Sequence, residues 1–329
     1  MDRPGYFFTE IDARTDLALE ATDILRARVG REIPGVQVNE EKQDGLTVTR
    51  VRVLDERGER AIGKVKGTYV TIEAPDLRKR NRELQEQVAR VIGRELQGML
   101  PPGNDYLVLV VGLGNWKATP DALGPRVVNH ILVTRHLQDY VPQDLKGGLR
   151  PVAAIAPGVL GTTGIETGEV IRGIVDRIRP AAVVAIDALA ARSLKRIMAT
   201  IQIADSGIHP GSGVGTKRTG ITRETLGVPV IAIGVPTVVH AITIASETLD
   251  LLVDQLRGSN QLYQILQQMG SQDQRRLIEE VLTPEVGDLM VTPKEVDALI
   301  DDTSHLLAGG INAALQPNIE LEEAFRFDY

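Results

Sequence analysis

Two aspartates follow short apolar runs of the sequence and could act together. Asp121 comes after the run 106–115 (YLVLVVGLGN), and Asp187 directly ends the apolar stretch 181–186. Such runs are typical of strands buried on both faces of a parallel sheet, and the carboxyl ends of such strands meet at one edge. Two neighbouring aspartates can share a proton, because both carboxyls cannot easily ionise at once. One can then activate water while the other protonates a leaving amine.

Two other uses of these aspartates stay open at this point. An aspartate near the start of a helix often caps that helix, and sequence spacing alone does not exclude this for Asp121 or Asp187. His209 lies in the glycine-rich loop 205–218 (DSGIHPGSGVGTKR), and it could join the two aspartates in a divalent metal site. Because no close ligand spacing such as HExxH is present, we predict neither a metal site nor a cofactor.

Other familiar catalytic motifs do not fit the chain. The stretch that begins at Gly112 lacks the third glycine of the dinucleotide fingerprint, because Lys117 stands there. The segment 211–217 (GSGVGTK) lacks the Gly-Lys-Ser/Thr order of a phosphate-binding loop. The sequence contains no cysteine, which excludes a cysteine nucleophile and thiolate metal sites.

The composition favours a soluble α/β protein. Hydrophobic residues make up 43% of the 329 residues but aromatic residues only 3%, which is typical of aliphatic strands covered by helices. The formal net charge of −7 argues against direct nucleic-acid binding through a basic surface. We expect no membrane contact and a cytoplasmic location, because no signal-peptide pattern and no run of about 18 apolar residues is present.

The order of apolar and amphipathic segments predicts one α/β domain with a mostly parallel sheet and helices on both sides. An N-terminal β excursion is predicted from two alternating runs, 46–54 and 61–74, joined by a turn. A helical, polar excursion is predicted over 247–290. The predicted strands of the main sheet are 106–115, 151–159, 181–189 and 228–236, and the predicted long helices begin after Pro75 and near 293.

Many long segments of the chain, in one order, resemble the germination protease family. The two aspartates lie in two of them, TPDALGP (119–125) and AIDALAARS (185–193). The other segments are RTDLALEA (14–21), VVGLGN (110–115), TRHL (134–137), PGVLGTTGIET (157–167), ADSGIHPGSGVG (204–215), GVPVIAIGVPTVV (227–239) and MVTPKEVD (290–297).

The resemblance implies a sequence-specific endopeptidase of the spore core that cleaves small acid-soluble spore proteins during germination. It implies a homotetramer and a three-layer α/β/α fold similar to that of the hydrogenase-maturation peptidases. It also implies that Asp121 and Asp187 are the catalytic pair of an aspartic-type enzyme. Because the maturation peptidases bind nickel at a comparable place, the alternative is a metal-dependent peptidase that uses Asp121, Asp187 and His209.

The resemblance further implies an inactive precursor that removes its own N-terminal segment. The autocleaved propeptide would be residues 1–16, cut between Asp16 and Leu17, and residues 17–329 would form the single peptidase domain. The sequence at this bond is similar to the Glu-Ile/Phe-Ala-Ser-Glu site cut in the substrates. Because the preference for an acidic residue calls for basic partners, the candidates for substrate binding are Arg192, His209, Lys217 and Arg218.

Overall fold

In the computed structural model of the chain, the described residues are 33–138, 140, 148–209, 219–255 and 289–318. Several predictions concern residues outside these ranges. They are the propeptide 1–16 with the Asp16–Leu17 bond, the two basic residues Lys217 and Arg218, and the part of the helical excursion from 256 to 288.

The described residues form nine strands in one mixed sheet. Eight strands follow the order β1-β2-β3-β7-β8-β6-β4-β5, and β9 pairs with β8. The strands are β1 (Val36–Gln43), β2 (Leu46–Val53), β3 (Gly67–Glu73), β4 (Val108–Gly112), β5 (Val152–Ile155), β6 (Ala182–Ala191), β7 (Thr200–Ala204), β8 (Val230–His240) and β9 (Met290–Val291).

The prediction of a mostly parallel sheet is wrong. Strands β5, β4, β6 and β8 are parallel to their neighbours, as the apolar runs predict. Strand β7 is antiparallel to β8, since residues 192–199 leave no room for the helical crossover that a parallel return needs. Strand β3 then pairs antiparallel with β7, so the predicted N-terminal excursion is a continuation of the same sheet.

Helices cover both faces of this sheet. Buried side chains of α2, α3 and α8 pack with one face of the strands, whereas those of α5 and α6 pack with the other face. Within the described ranges, no helix has the length and apolar character that a bilayer span requires. The helices are α1 (Glu56–Ile62), α2 (Arg82–Met99), α3 (Leu123–Asn129), α4 (Leu160–Thr163), α5 (Thr167–Ile178), α6 (Arg223–Leu226), α7 (Ala241–Gln255) and α8 (Val296–Leu315).

The N-terminal hairpin is present, but its connection differs from the prediction. Strands β2 and β3 pair antiparallel as predicted, yet helix α1 replaces the predicted turn between them. The Asp55 side chain accepts hydrogen bonds from the amides of Arg57 and Gly58, which caps the start of α1. Gly63 ends the helix in the left-handed conformation, with φ of 66°. These two caps stabilise a short helix in a segment that the sequence analysis predicts as a turn.

Helix α3 lies directly on the backbone of the central strands. A Cβ atom on Gly124 would be 2.3 Å from the Leu113 carbonyl oxygen and 2.6 Å from that of Ile186. A Cβ atom on Gly112, at the end of β4, would be 2.1 Å from the Gly124 carbonyl oxygen. These two glycines allow the close approach that sets where α3 begins, directly after Asp121.

This contact predicts that Gly124→Ala destabilises the protein by about 1–3 kcal/mol, because the methyl group would overlap backbone atoms that cannot move cheaply. Urea unfolding monitored by circular dichroism measures the change. Gly98→Ala, in helix α2, is the matched control, because a Cβ atom there has no neighbour within 4 Å. We expect the control to be neutral or slightly stabilising. Equal stability of the two variants would contradict the close contact.

Candidate active site

A cleft of about 690 Å³ opens over the sheet between the end of α1 and the start of α5. Its floor consists of side chains and backbone of β6, β7 and β8, including Asp187, Gln202 and Gly234. Asp121 contributes from the connection between β4 and α3. The two predicted catalytic aspartates therefore line one cleft.

Asp121 is held by the tight turn that follows β4. The backbone N–H of Asn115 donates a hydrogen bond to Asp121 Oδ2 at 2.9 Å and to the Asp121 carbonyl oxygen at 3.1 Å. Gly114 has φ of 116°, and a Cβ atom there would be 2.0 Å from the Asp121 carbonyl oxygen. Only glycine fits this position, so the sequence Gly114-Asn115 fixes the half-buried carboxylate at the cleft.

Asp187 lies within β6 and not at its end, which corrects the prediction. Strand β6 continues to Ala191, but β4 stops at Gly112, which pairs with Ile186. Asp187 is therefore the first residue of β6 beyond the reach of β4, and its side chain is only 7% exposed. Asp187 Oδ1 accepts a hydrogen bond from the backbone N–H of Ala188 at 2.9 Å.

Helix capping accounts for neither aspartate. The residue in the cap position of α3 is Ala122, and no side-chain hydrogen bond caps this helix. Asp187 lies inside β6, with strand residues both before and after it, so it is not at the start of a helix. Helix capping therefore does not explain why both carboxylates line the cleft.

His209 also lines the cleft, but the proposed ligand set for a metal is not assembled. Its side chain is exposed and lies close to Gly220, where a Cβ atom would be 2.7 Å from His209 Nε2. In the parts of the chain that the structure describes, no three His, Asp or Glu side chains could hold a metal ion together. The geometry therefore does not favour a metal site formed by His209 with Asp121 and Asp187.

Of the predicted basic residues Arg192, Lys217 and Arg218, only Arg192 lies in the described ranges. Arg192 follows the last residue of β6 and is half-buried, but it is not among the described residues that line the cleft. Lys217 and Arg218 fall outside the described ranges, so their role in substrate binding stays a prediction.

Lys64 and Gln202 are among the polar cleft residues that the sequence analysis misses. Lys64 lies between α1 and β3, in a segment that is predicted to be strand throughout. Gln202 is 9% exposed and stands within the strand TIQIA. Its signal in the sequence is a single amide in an otherwise apolar run, but the strand pairing that directs it to the cleft cannot be read from the run itself.

The comparisons with known proteins agree with the resemblance. The family model for germination proteases matches residues 11–261 and 255–328. A germination protease of Caldanaerobacter subterraneus is 53% identical over 314 residues, which cover 94% of this chain and 96% of the relative. One of Clostridium tetani is 47% identical, covering 95% and 98%. One of Priestia megaterium is 44% identical, covering 95% and 96%.

The matches span nearly the whole chain, including the turn that holds Asp121 and the strand that carries Asp187. Together they confirm the predicted family and the prediction that the chain is a protease: the chain belongs to the germination protease family.

Proposed function

We propose that the chain is a spore-germination endopeptidase in which Asp121 and Asp187 activate the water that hydrolyses the peptide bond. The observation that carries the proposal is that these two carboxylates, from separate elements, line the same cleft. One is 7% exposed and the other is half-buried, so neither is an ordinary surface carboxylate. Partly buried carboxylates that line a cleft are typical of acid–base catalysis.

In this mechanism the two carboxyls share one proton. The ionised carboxylate accepts a proton from water while the water oxygen attacks the carbonyl carbon of the peptide bond. The protonated carboxyl then donates its proton to the leaving amide nitrogen as the C–N bond breaks. The shared proton belongs to the pair and not to either aspartate alone. After one turnover the pair again holds one proton.

The substrates in this proposal are small acid-soluble spore proteins, cleaved in the spore core by a homotetramer. The cleft supports a protein substrate, because it is open at the surface and has a floor of strands along which an extended peptide can lie. The proposed self-processing removes residues 1–16 by the same chemistry, since the sequence around Asp16 and Leu17 is similar to the substrate site.

The first test replaces each aspartate by its uncharged amide. We expect Asp121→Asn and Asp187→Asn each to reduce hydrolysis of a peptide containing Glu-Phe-Ala-Ser-Glu by at least about 10²–10⁴-fold, because each removes a general acid or base. Asp176→Asn is the control, since Asp176 is exposed on α5. The control is expected to retain full activity. Full activity of either cleft variant would refute the two-aspartate mechanism.

The second test separates this mechanism from the metal-dependent alternative. We expect hydrolysis of the same peptide to persist after exhaustive treatment with a chelator, because no metal takes part in the proposed steps. Metal content is measured in parallel on the treated protein. Loss of activity on chelation that added divalent ions restore would favour the alternative with Asp121, Asp187 and His209.

The third test addresses self-processing. We expect the double variant Asp16→Ala, Leu17→Ala to remain at full length, because the residues that flank the cleaved bond no longer resemble a substrate. Mass spectrometry of the purified chain over time measures the cleavage. Asp12→Ala, in the same segment, is expected to be processed normally. Normal maturation of the double variant would rule out cleavage at this bond.

A further inference from the structure

Three cleft residues stand in one row across the sheet. Strand pairing sets Asp187 on β6 opposite Gly234 on β8, and Gly234 opposite Gln202 on β7. Directly paired residues of neighbouring strands point to the same face of a sheet. The side chains of Gln202 and Asp187 therefore rise from the same face, with a glycine between them.

The neighbours of Gln202 show which face this is. Ile201 and Ile203 are fully buried in the core beneath α2 and α8. Because side chains alternate along a strand, Gln202 points to the opposite face, where the cleft opens. All three members of the row line the cleft.

The glycine in the middle separates the two polar side chains by the width of one strand. Strands lie about 4.8 Å apart, so the Cα atoms of Gln202 and Asp187 are on the order of 10 Å apart. A Cβ atom on Gly234 would be 2.4 Å from the Leu189 side chain, so Leu189 occupies the space directly over the glycine. A peptide bound in the cleft would therefore lie over Leu189, with the carboxamide of Gln202 on one side and the carboxylate of Asp187 on the other.

The row continues on the far side of Gln202 with a buried hydroxyl. Thr71 on β3 pairs with Gln202 and is fully buried. Among the described residues its Oγ1 has no hydrogen-bond partner. A buried polar atom without a partner is costly, so native structures contain few of them. A hydrogen bond from Thr71 Oγ1 to the side-chain oxygen of Gln202, Oε1, would turn the side-chain NH₂ group toward Asp187.

We propose that Gln202 binds the carbonyl oxygen of the peptide bond that is cleaved, across Gly234 from Asp187. This inference rests on the proposed endopeptidase function. As water adds to the carbonyl carbon, the oxygen gains negative charge, and the Gln202 N–H donates a hydrogen bond to it. Gln202 transfers no proton, so the proton balance of the aspartate pair is unchanged.

Gln202 suits this role better than Lys64 or His209, which also line the cleft. Lys64 and His209 belong to connections, whereas Gln202 is fixed by pairing with strands on both sides. An oxyanion donor must be held close to one position, and rigid elements do this better than loops. An uncharged amide also leaves the shared proton of the aspartate pair undisturbed, whereas an ammonium group would favour ionisation of both carboxyls.

The main test is Gln202→Met, which keeps the length of the side chain and removes its N–H donors. For the peptide containing Glu-Phe-Ala-Ser-Glu, we expect kcat to fall about 10²–10³-fold with little change in KM, as for loss of an oxyanion donor. Urea unfolding is expected to be unchanged. Gln37→Met, at an exposed position on the edge strand β1, is the matched control and should retain kcat.

A second variant gives a signal that a purely structural role would not produce. In Gln202→Glu the introduced carboxyl can donate a hydrogen bond only while it is protonated. We therefore expect its kcat, relative to that of the unchanged chain, to rise as the pH is lowered, because protonation restores the donor. A relative kcat that does not change with pH would contradict the proposal.

The two proposals fail in different ways. If Asp187→Asn abolishes hydrolysis while Gln202→Met keeps kcat within about threefold, the aspartate mechanism stands and the role of Gln202 is wrong. A rise in KM alone, or a loss of stability without a loss of kcat, would also overturn the role of Gln202. If Asp187→Asn remains fully active, the proposed function itself fails.

Discussion

The pairing of β6 with β8 over almost the whole length of β6 is the constraint on which the cleft depends. It carries β6 past the point where β4 stops, so that Asp187 has a strand neighbour on the β8 side only. The same pairing brings Gly234 beside Asp187 and, through β7, sets Gln202 in the same row. The backbone hydrogen bonds of this ladder thus determine the positions of the polar groups.

Asp121 reaches the same cleft by different means. Its position follows from close backbone contacts at three glycines, Gly112, Gly114 and Gly124, each of which leaves no room for a side chain. Because helix α3 packs closely against the end of β4 and against β6 at Ile186, the preceding turn has little freedom. One aspartate is thus set by strand register and the other by helix contact, and both constraints act on the backbone.

The sequence predicts which segments form strands better than it predicts which strands pair with each other. The apolar runs correctly predict β4, β5, β6 and β8, because strands buried on both faces leave a clear pattern. They do not reveal that β3 joins β7, since pairing depends on long-range contacts and not on local composition. Strand β1 (VQVNEEKQ) is missed because it is a polar, largely exposed edge. The sequence identifies Asp187 as a candidate residue. It does not show that β6 continues beyond Asp187 along β8 after β4 has ended.

The two faces of the same strands have different roles. One face packs in the hydrophobic core and the other lines the cleft. Ile201 and Ile203 on β7 are at most 1% exposed on the core side, and Gln202 lies between them on the other side. Burying an amide, a carboxylate and an unpaired hydroxyl on one face is unfavourable. Aliphatic burial on the opposite face of the same strands offsets that cost. Because strand side chains alternate, the protein can hold a polar row in the middle of its sheet without opening its hydrophobic core.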